Sequence, residues 1–128
     1  MHPARIVGFL LTLSALGESA VGVALVAYPS LVAFLIAAPV DSNGLLVARM
    51  MGAAMLALGV TWWIARAEPG RLIHYVVGYL IYNLVVGVLF VAAALYASQA
   101  LVPWIVAIVH LGAGAAFGIA KAMARKQA

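Results

Sequence analysis

The third apolar stretch of the chain, residues 72–96, reads LIHYVVGYLIYNLVVGVLFVAAALY and contains no Asp, Glu, Lys or Arg. A helix that crosses the hydrocarbon core of a bilayer needs about 20 mostly apolar residues. Apolar side chains occur all around this stretch instead of along one stripe, as is typical of a helix that contacts lipid. Three further stretches meet the same criterion, residues 6–27, 45–65 and 101–120. The sequence therefore predicts four membrane-spanning helices.

The composition excludes several other classes of protein. Of the 128 residues, 68% are hydrophobic and 8% are charged, whereas a soluble domain has about 25% charged residues. A disordered segment would need far fewer apolar residues than this chain contains. The chain has no cysteine, which excludes thiol catalysis, disulfides and cysteine-ligated metals.

We predict an all-α membrane protein with four transmembrane helices in an antiparallel up-and-down bundle, forming a single domain over residues 1–128. Residues 30–38 are too few to span a bilayer, and Pro29 and Pro39 bracket them. This segment is predicted to be a short helix at the outer membrane interface, either a connector or a lid over a cavity. Residues 41–44, DSNG, offer turn and helix-capping chemistry before the second span.

The basic residues predict the orientation of the chain. Cytoplasmic segments of membrane proteins are enriched in Lys and Arg. On this rule both termini and the link between spans two and three lie in the cytoplasm, and the membrane is the bacterial inner membrane. The net charge of +4 then reflects topology, and we expect no nucleic-acid partner. The basic residues that support this orientation are Arg5, Arg66, Arg71, Lys121, Arg125 and Lys126.

Each span retains one strongly polar residue, namely Glu18, Arg49, Asn83 and His110. An ionised side chain at the middle of a bilayer costs about 2.5–3.5 kcal/mol even on lenient insertion scales, so such residues usually face other helices and find partners. We estimated depth in the membrane at about 1.5 Å per residue from the nearest cytoplasmic basic residue. Glu18, Asn83 and His110 lie at nearly the same depth, and Arg49 lies closer to the outer face. We predict that the four residues form an intramembrane polar cluster.

Each member of this cluster has a structural and a chemical interpretation. An ion pair between Glu18 and Arg49 would set the helix register, or the same two groups would take part in chemistry. Asn83 is predicted to form a hydrogen bond between helices. His110 would either carry a proton, since histidine titrates near neutral pH, or donate a ring N–H to a backbone carbonyl.

Residues near the cluster suggest a ligand and a second copy of the chain. Ser14, Tyr79 and Tyr82 are possible ligand-lining side chains, although tyrosines also serve as packing and interface residues. Gly114 and Gly118 belong to a small-residue face on span four. Because small residues allow membrane helices to approach closely, we expect the protein to form a homo-oligomer or to join a membrane complex.

No known catalytic spacing is present in the sequence. We find no His-x-x-x-His, glycine-rich phosphate loop or Gly-x-Ser-x-Gly motif. Glu18 and His110 together would leave a tetrahedral metal site two ligands short. We therefore assign no catalytic residue, no metal site and no cofactor.

A distributed pattern covers most of the chain. It consists of Gly17-Glu18, Gly22, Pro29, Arg49-x-x-Gly52, Ala57-Leu58-Gly59, Trp63, Ala65-Arg66, Tyr82-Asn83 and His110. This pattern resembles that of an uncharacterised family of small four-span bacterial inner-membrane proteins, and more loosely that of DoxX-like proteins. The resemblance implies that Glu18, Arg49 and Asn83 belong to the family pattern, and it supplies no catalytic residues.

Three functional hypotheses follow. The first is a binding or accessory subunit that contacts a lipid-like molecule, such as a quinone, or a larger membrane complex. The second is a proton-linked transporter that uses Glu18 and His110. The third, which we rank lowest, is a membrane enzyme acting on an amphiphilic substrate, because only the number of spans supports it.

Overall fold

A computed structural model describes five helices and the short segments that adjoin them. The described residues are 3–36, 38, 40–67, 72–96 and 101–125, with side chains for 5–36, 38, 40–67, 75–96 and 101–123. The helices are α1 (Pro3–Ala27), α2 (Pro29–Leu35), α3 (Ser42–Ala65), α4 (Leu72–Tyr96) and α5 (Leu101–Arg125). Because no strand occurs within these ranges, the predicted all-α fold class is confirmed.

Four of the helices are long and apolar enough to cross a membrane, over Arg5–Ala27, Ser42–Ala65, Tyr75–Tyr96 and Leu101–Met123. The chain therefore has the architecture of a multi-pass membrane protein. The predicted spans correspond to these helices, with three differences at the ends. Helices α1 and α3 each begin three residues before their predicted starts at residues 6 and 45, and α5 continues five residues past residue 120. At all three ends the additional residues include polar or basic side chains, which hydropathy alone excludes from a span.

The predicted short helix between the first two long helices is present as α2. Pro29 occupies its first turn, where the absence of a proline N–H leaves no helical hydrogen bond unmade. Pro29 and Ala33 are buried, whereas Leu31 and Phe34 are 54% and 80% exposed. An exposed apolar face is typical of a helix that lies in a membrane interface, although that location stays a prediction.

The polar sequence before α3 caps that helix, as predicted. Asp41 precedes the first helical residue, and its Oδ1 accepts a hydrogen bond of 2.8 Å from the Gly44 backbone N–H. The Asp41 carbonyl oxygen also accepts a 3.0 Å bond from the Leu45 N–H. A side-chain cap of this kind satisfies a backbone donor that the helix itself leaves unpaired.

The chain divides into two compact units, one comprising Leu11–Ile64 and the other comprising Met1–Leu10 with Ala65–Ala128. The prediction of a single domain stays a prediction. Each unit is built around a pair of antiparallel helices.

In the Leu11–Ile64 unit, α1 and α3 approach each other at glycine. A Cβ placed on Gly22 would lie 2.8 Å from the Gly52 carbonyl oxygen, and one placed on Gly52 would lie 2.8 Å from the Gly22 carbonyl oxygen. Seven residues along α3, a Cβ on Gly59 would clash with the Ser19 hydroxyl and lie 3.0 Å from the Ala15 carbonyl oxygen. The two helices therefore touch backbone to backbone and run antiparallel, a contact that only glycine permits.

In the other unit, α4 packs antiparallel against α5 through aromatic rings and small residues. The rings of Tyr79 and Phe117 stack with centroids 4.5 Å apart, and both side chains are fully buried. A Cβ on Gly87 would lie 2.6 Å from the Leu111 side chain. The buried positions on α5 lie on one helix face, in two pairs whose members are four and three residues apart. They are Pro103, Ala107, Phe117 and Ala120.

Candidate functional site

The α4–α5 interface brings together Asn83 and His110. Asn83 is 3% exposed, and its Nδ2 donates a hydrogen bond of 2.9 Å to the backbone carbonyl oxygen of Tyr79. His110 Nδ1 lies 3.1 Å from Asn83 Oδ1. Asn83 therefore makes the interhelical hydrogen bond predicted for it, and its partner is the histidine of the next helix.

This pair of hydrogen bonds assigns the histidine tautomer. Because the Asn83 amide nitrogen faces the Tyr79 carbonyl, the amide oxygen is the atom that faces His110. An amide oxygen only accepts hydrogen bonds, so His110 Nδ1 carries the hydrogen and donates it. In the neutral ring the other nitrogen, Nε2, then holds a lone pair and is a hydrogen-bond acceptor.

Neighbouring residues hold this pair in position. The Tyr82 ring meets the His110 ring edge to face, with centroids 5.5 Å apart and an angle of 77° between the planes. A Cβ on Gly114 would lie 3.4 Å from Asn83 Cβ, so a small residue on α5 leaves room for the amide. His110 itself is partly buried and reaches the surface of the described chain.

Glu18 and Ser14 lie on α1, in the Leu11–Ile64 unit. Glu18 is 6% exposed, and Ser14 is half-buried. Both residues interact with a neighbouring group. A carboxyl group in an apolar helix is costly where it faces lipid, which accounts for the burial of Glu18. The roles predicted for Glu18 in a polar cluster and for Ser14 in ligand binding stay predictions.

Arg49 lies on the exposed surface of α3. Its Nε donates a hydrogen bond of 3.3 Å to the backbone carbonyl oxygen of Val26, in the last turn of α1. A carbonyl in the last turn of a helix has no partner within that helix, and a positive charge there is favourable with respect to the helix dipole. Val26 lies eight residues beyond Glu18, or about 12 Å along the helix axis. The ion pair between Glu18 and Arg49 stays a prediction.

The structure thus places the four predicted polar residues in two groups. Asn83 and His110 are hydrogen-bonded in one unit, with Tyr79 and Tyr82 beside them, whereas Glu18 and Arg49 belong to the other unit. The grouping of all four as one cluster stays a prediction. Within the described ranges, no three His, Cys, Asp or Glu side chains are placed to hold a metal ion.

The sequence did not predict two groups that take part in these contacts. Phe117 stacks on Tyr79, and its spacing of seven residues from His110, two turns on one helix face, is a signal that could have identified it. The Val26 carbonyl that binds Arg49 leaves no such signal, because every residue has a backbone carbonyl.

The fold and these contacts define the chain as a four-span α-helical membrane protein. No family model, curated protein or solved structure matches it. The resemblance to small four-span bacterial inner-membrane proteins therefore stays a prediction.

Proposed function

We propose that this protein is an inner-membrane binding or accessory subunit, and that His110 is the point at which it binds a lipid-soluble molecule. The observation that carries the proposal is the hydrogen bond from His110 Nδ1 to Asn83 Oδ1. It orients the imidazole ring and leaves Nε2 as an acceptor on a partly buried side chain between two apolar helices.

The chemistry of Nε2 indicates the class of ligand. In hydrocarbon, a polar atom without a hydrogen bond is costly, since no water is present to satisfy it. A lipid-soluble molecule with a hydroxyl group would donate to Nε2, whereas a molecule with only carbonyl oxygens would not. A quinol fits this requirement better than the corresponding quinone does. The edge-on Tyr82 ring offers an aromatic surface beside the same atom.

Ligand binding tests this proposal directly. We expect a short-chain benzoquinol to bind the purified protein in detergent about two- to tenfold more tightly than its oxidised benzoquinone, which is the range that one hydrogen bond provides. His110→Phe should remove the preference for the quinol. The matched control is Trp104→Phe, a partly exposed position on the same helix, which should retain the preference. Equal affinity for the two redox forms of the probe, or an unchanged preference in His110→Phe, would contradict the proposal.

The second candidate function is proton-linked transport by Glu18 and His110. Burial of the Glu18 carboxyl group within an apolar helix is the observation in its favour, because such groups often mark proton pathways. Transport would appear as a pH-driven flux of a small molecule into proteoliposomes, and this flux would be lost in His110→Phe. The protein would then show no preference for the quinol in the binding assay.

We also propose that the protein works as a homo-oligomer or within a larger membrane complex. Helix α5 supports this proposal, because a Cβ placed on Gly112 or Gly118 would meet no atom of the described chain within 4 Å. Small residues that are open to the surroundings allow another helix to approach closely.

The proposed orientation, with both termini in the cytoplasm, can be tested by cysteine labelling. The chain contains no cysteine, so single-cysteine variants give an unambiguous signal. Asn43→Cys, an exposed position in the first turn of α3, should react in intact cells with a maleimide that does not cross the inner membrane. Ala67→Cys, after the other end of α3, should react only once the membrane is opened. The reverse pattern would show the opposite orientation.

A further inference from the structure

Arg49 is an exposed cation among exposed apolar residues of α3. Its neighbours Leu46 and Met50 are 60% and 66% exposed, so this face of α3 is suited to contact with lipid. A charged group on such a face is costly unless it reaches the polar region of the membrane or binds an anion.

The hydrogen bond to Val26 places the guanidinium group near one end of the helices. Helix α1 ends at Ala27, and α3 begins at Ser42, so Arg49 is seven residues, or about 10 Å, from the start of its own helix. Side chains on a helix lean toward its N-terminus, which brings the guanidinium group closer to that end. The Val26 carbonyl accepts from Nε, so the N–H groups of Nη1 and Nη2 can donate to a further acceptor.

Within the described residues, the hydrogen bond to the uncharged Val26 carbonyl leaves the positive charge of Arg49 to be balanced by a further group. The sequence contains three acidic residues. Glu18 is buried about 12 Å away along α1, Asp41 caps α3, and Glu68 follows the opposite end of α3. The anion that is abundant where membrane helices end is the phosphate of a phospholipid.

We propose that Arg49 binds the phosphate group of a phospholipid in the leaflet where α1 ends and α3 begins. The planar guanidinium group suits this role, because it binds phosphate oxygens through parallel N–H donors. The backbone carbonyl of Val26 orients the group before the lipid arrives. The proposal does not rest on the binding function of His110.

Native mass spectrometry of the full chain in detergent tests the proposal with two lipids that have the same acyl chains. Dioleoylphosphatidylglycerol should bind, and dioleoylglycerol, which has no phosphate, should not. Arg49→Gln should weaken binding of the phospholipid about tenfold or more, the effect expected when a charge-assisted hydrogen-bonded pair is lost. Excess inorganic phosphate should not displace the lipid.

Two further variants keep the test decisive. Arg66→Gln removes one positive charge from an exposed position at the other end of α3 and should leave binding unchanged. Arg49→Lys keeps the charge without the planar donors and should bind the phospholipid with intermediate affinity. If Arg49→Gln lacks the circular dichroism spectrum of the native protein, Arg49→Lys replaces it in the test. Equal weakening in Arg66→Gln, binding of dioleoylglycerol, or displacement by inorganic phosphate would overturn the proposal.

Discussion

Gly52→Val should destabilise the α1–α3 pair by about 3 kcal/mol, at the upper end of the cost of inserting atoms into a packed interior. A Cβ on Gly52 would lie 2.8 Å from both the Gly22 carbonyl oxygen and Leu25 Cβ. The obstacle is partly backbone, which cannot move aside as a flexible side chain does. The two helices would therefore have to separate and lose their contact along this seam. Reversible unfolding in mixed micelles, followed by circular dichroism, measures the change in the free energy of unfolding.

Gly17→Val provides the matched control for this substitution. Gly17 lies on α1, and a Cβ placed on it would meet no atom of the described chain within 4 Å. Glycine-to-valine changes the intrinsic helix propensity equally at the two positions, so the difference between the variants reports packing alone. We expect Gly17→Val to be neutral or stabilising. If Gly52→Val proved as stable as Gly17→Val, the close approach of α1 and α3 would be wrong.

Asn83→Leu and His110→Leu should be strongly coupled. Each single substitution removes the hydrogen bond between α4 and α5. The polar atom of the remaining residue then loses its hydrogen-bond partner, at a cost of about 1–3 kcal/mol. In the double variant both polar groups are absent. We therefore expect the double substitution to cost less than the sum of the single ones, with a coupling free energy of about 0.6–1.7 kcal/mol, the range found between membrane helices.

A second double-mutant cycle controls for indirect effects along α5. Ile105 lies on α5 with 49% of its surface exposed, on a side that the structure does not pair with Asn83. The Asn83→Leu and Ile105→Ala substitutions should therefore be additive within about 0.5 kcal/mol. Coupling of the same size in both cycles would mean that the Asn83–His110 contact does not account for the first result.

Local features of the chain could be predicted from the sequence. The four spans follow from length and hydropathy, α2 follows from the prolines that bracket it, and the cap on α3 follows from the polar residues at 41–44. Each of these depends on residues adjacent in sequence, because a helix satisfies its own backbone hydrogen bonds and a cap acts within one turn. The predicted helix ends were less accurate, since polar or basic residues extend α1, α3 and α5 beyond the apolar segments.

Only part of the candidate site could be predicted from the sequence. The sequence predicted that Asn83 would bond across helices, because a lone amide in an apolar helix requires a partner. It did not predict which residue that partner is. The choice of His110, and with it the tautomer that makes Nε2 an acceptor, follows from the register of α4 against α5, which places two residues 27 positions apart within hydrogen-bond distance.

By itself, therefore, the sequence determined the class of protein, the number of spans and the residues whose polarity needs an explanation. Only the tertiary structure decided what those residues contact. Arg49 illustrates the difference most clearly, because its acceptor is the carbonyl of Val26, an atom that no side-chain pattern reveals. The backbone contact of Gly22 with Gly52 is likewise set by tertiary packing. The sequence shows that small residues permit a close approach, but only the packing of two particular helices shows where the approach occurs.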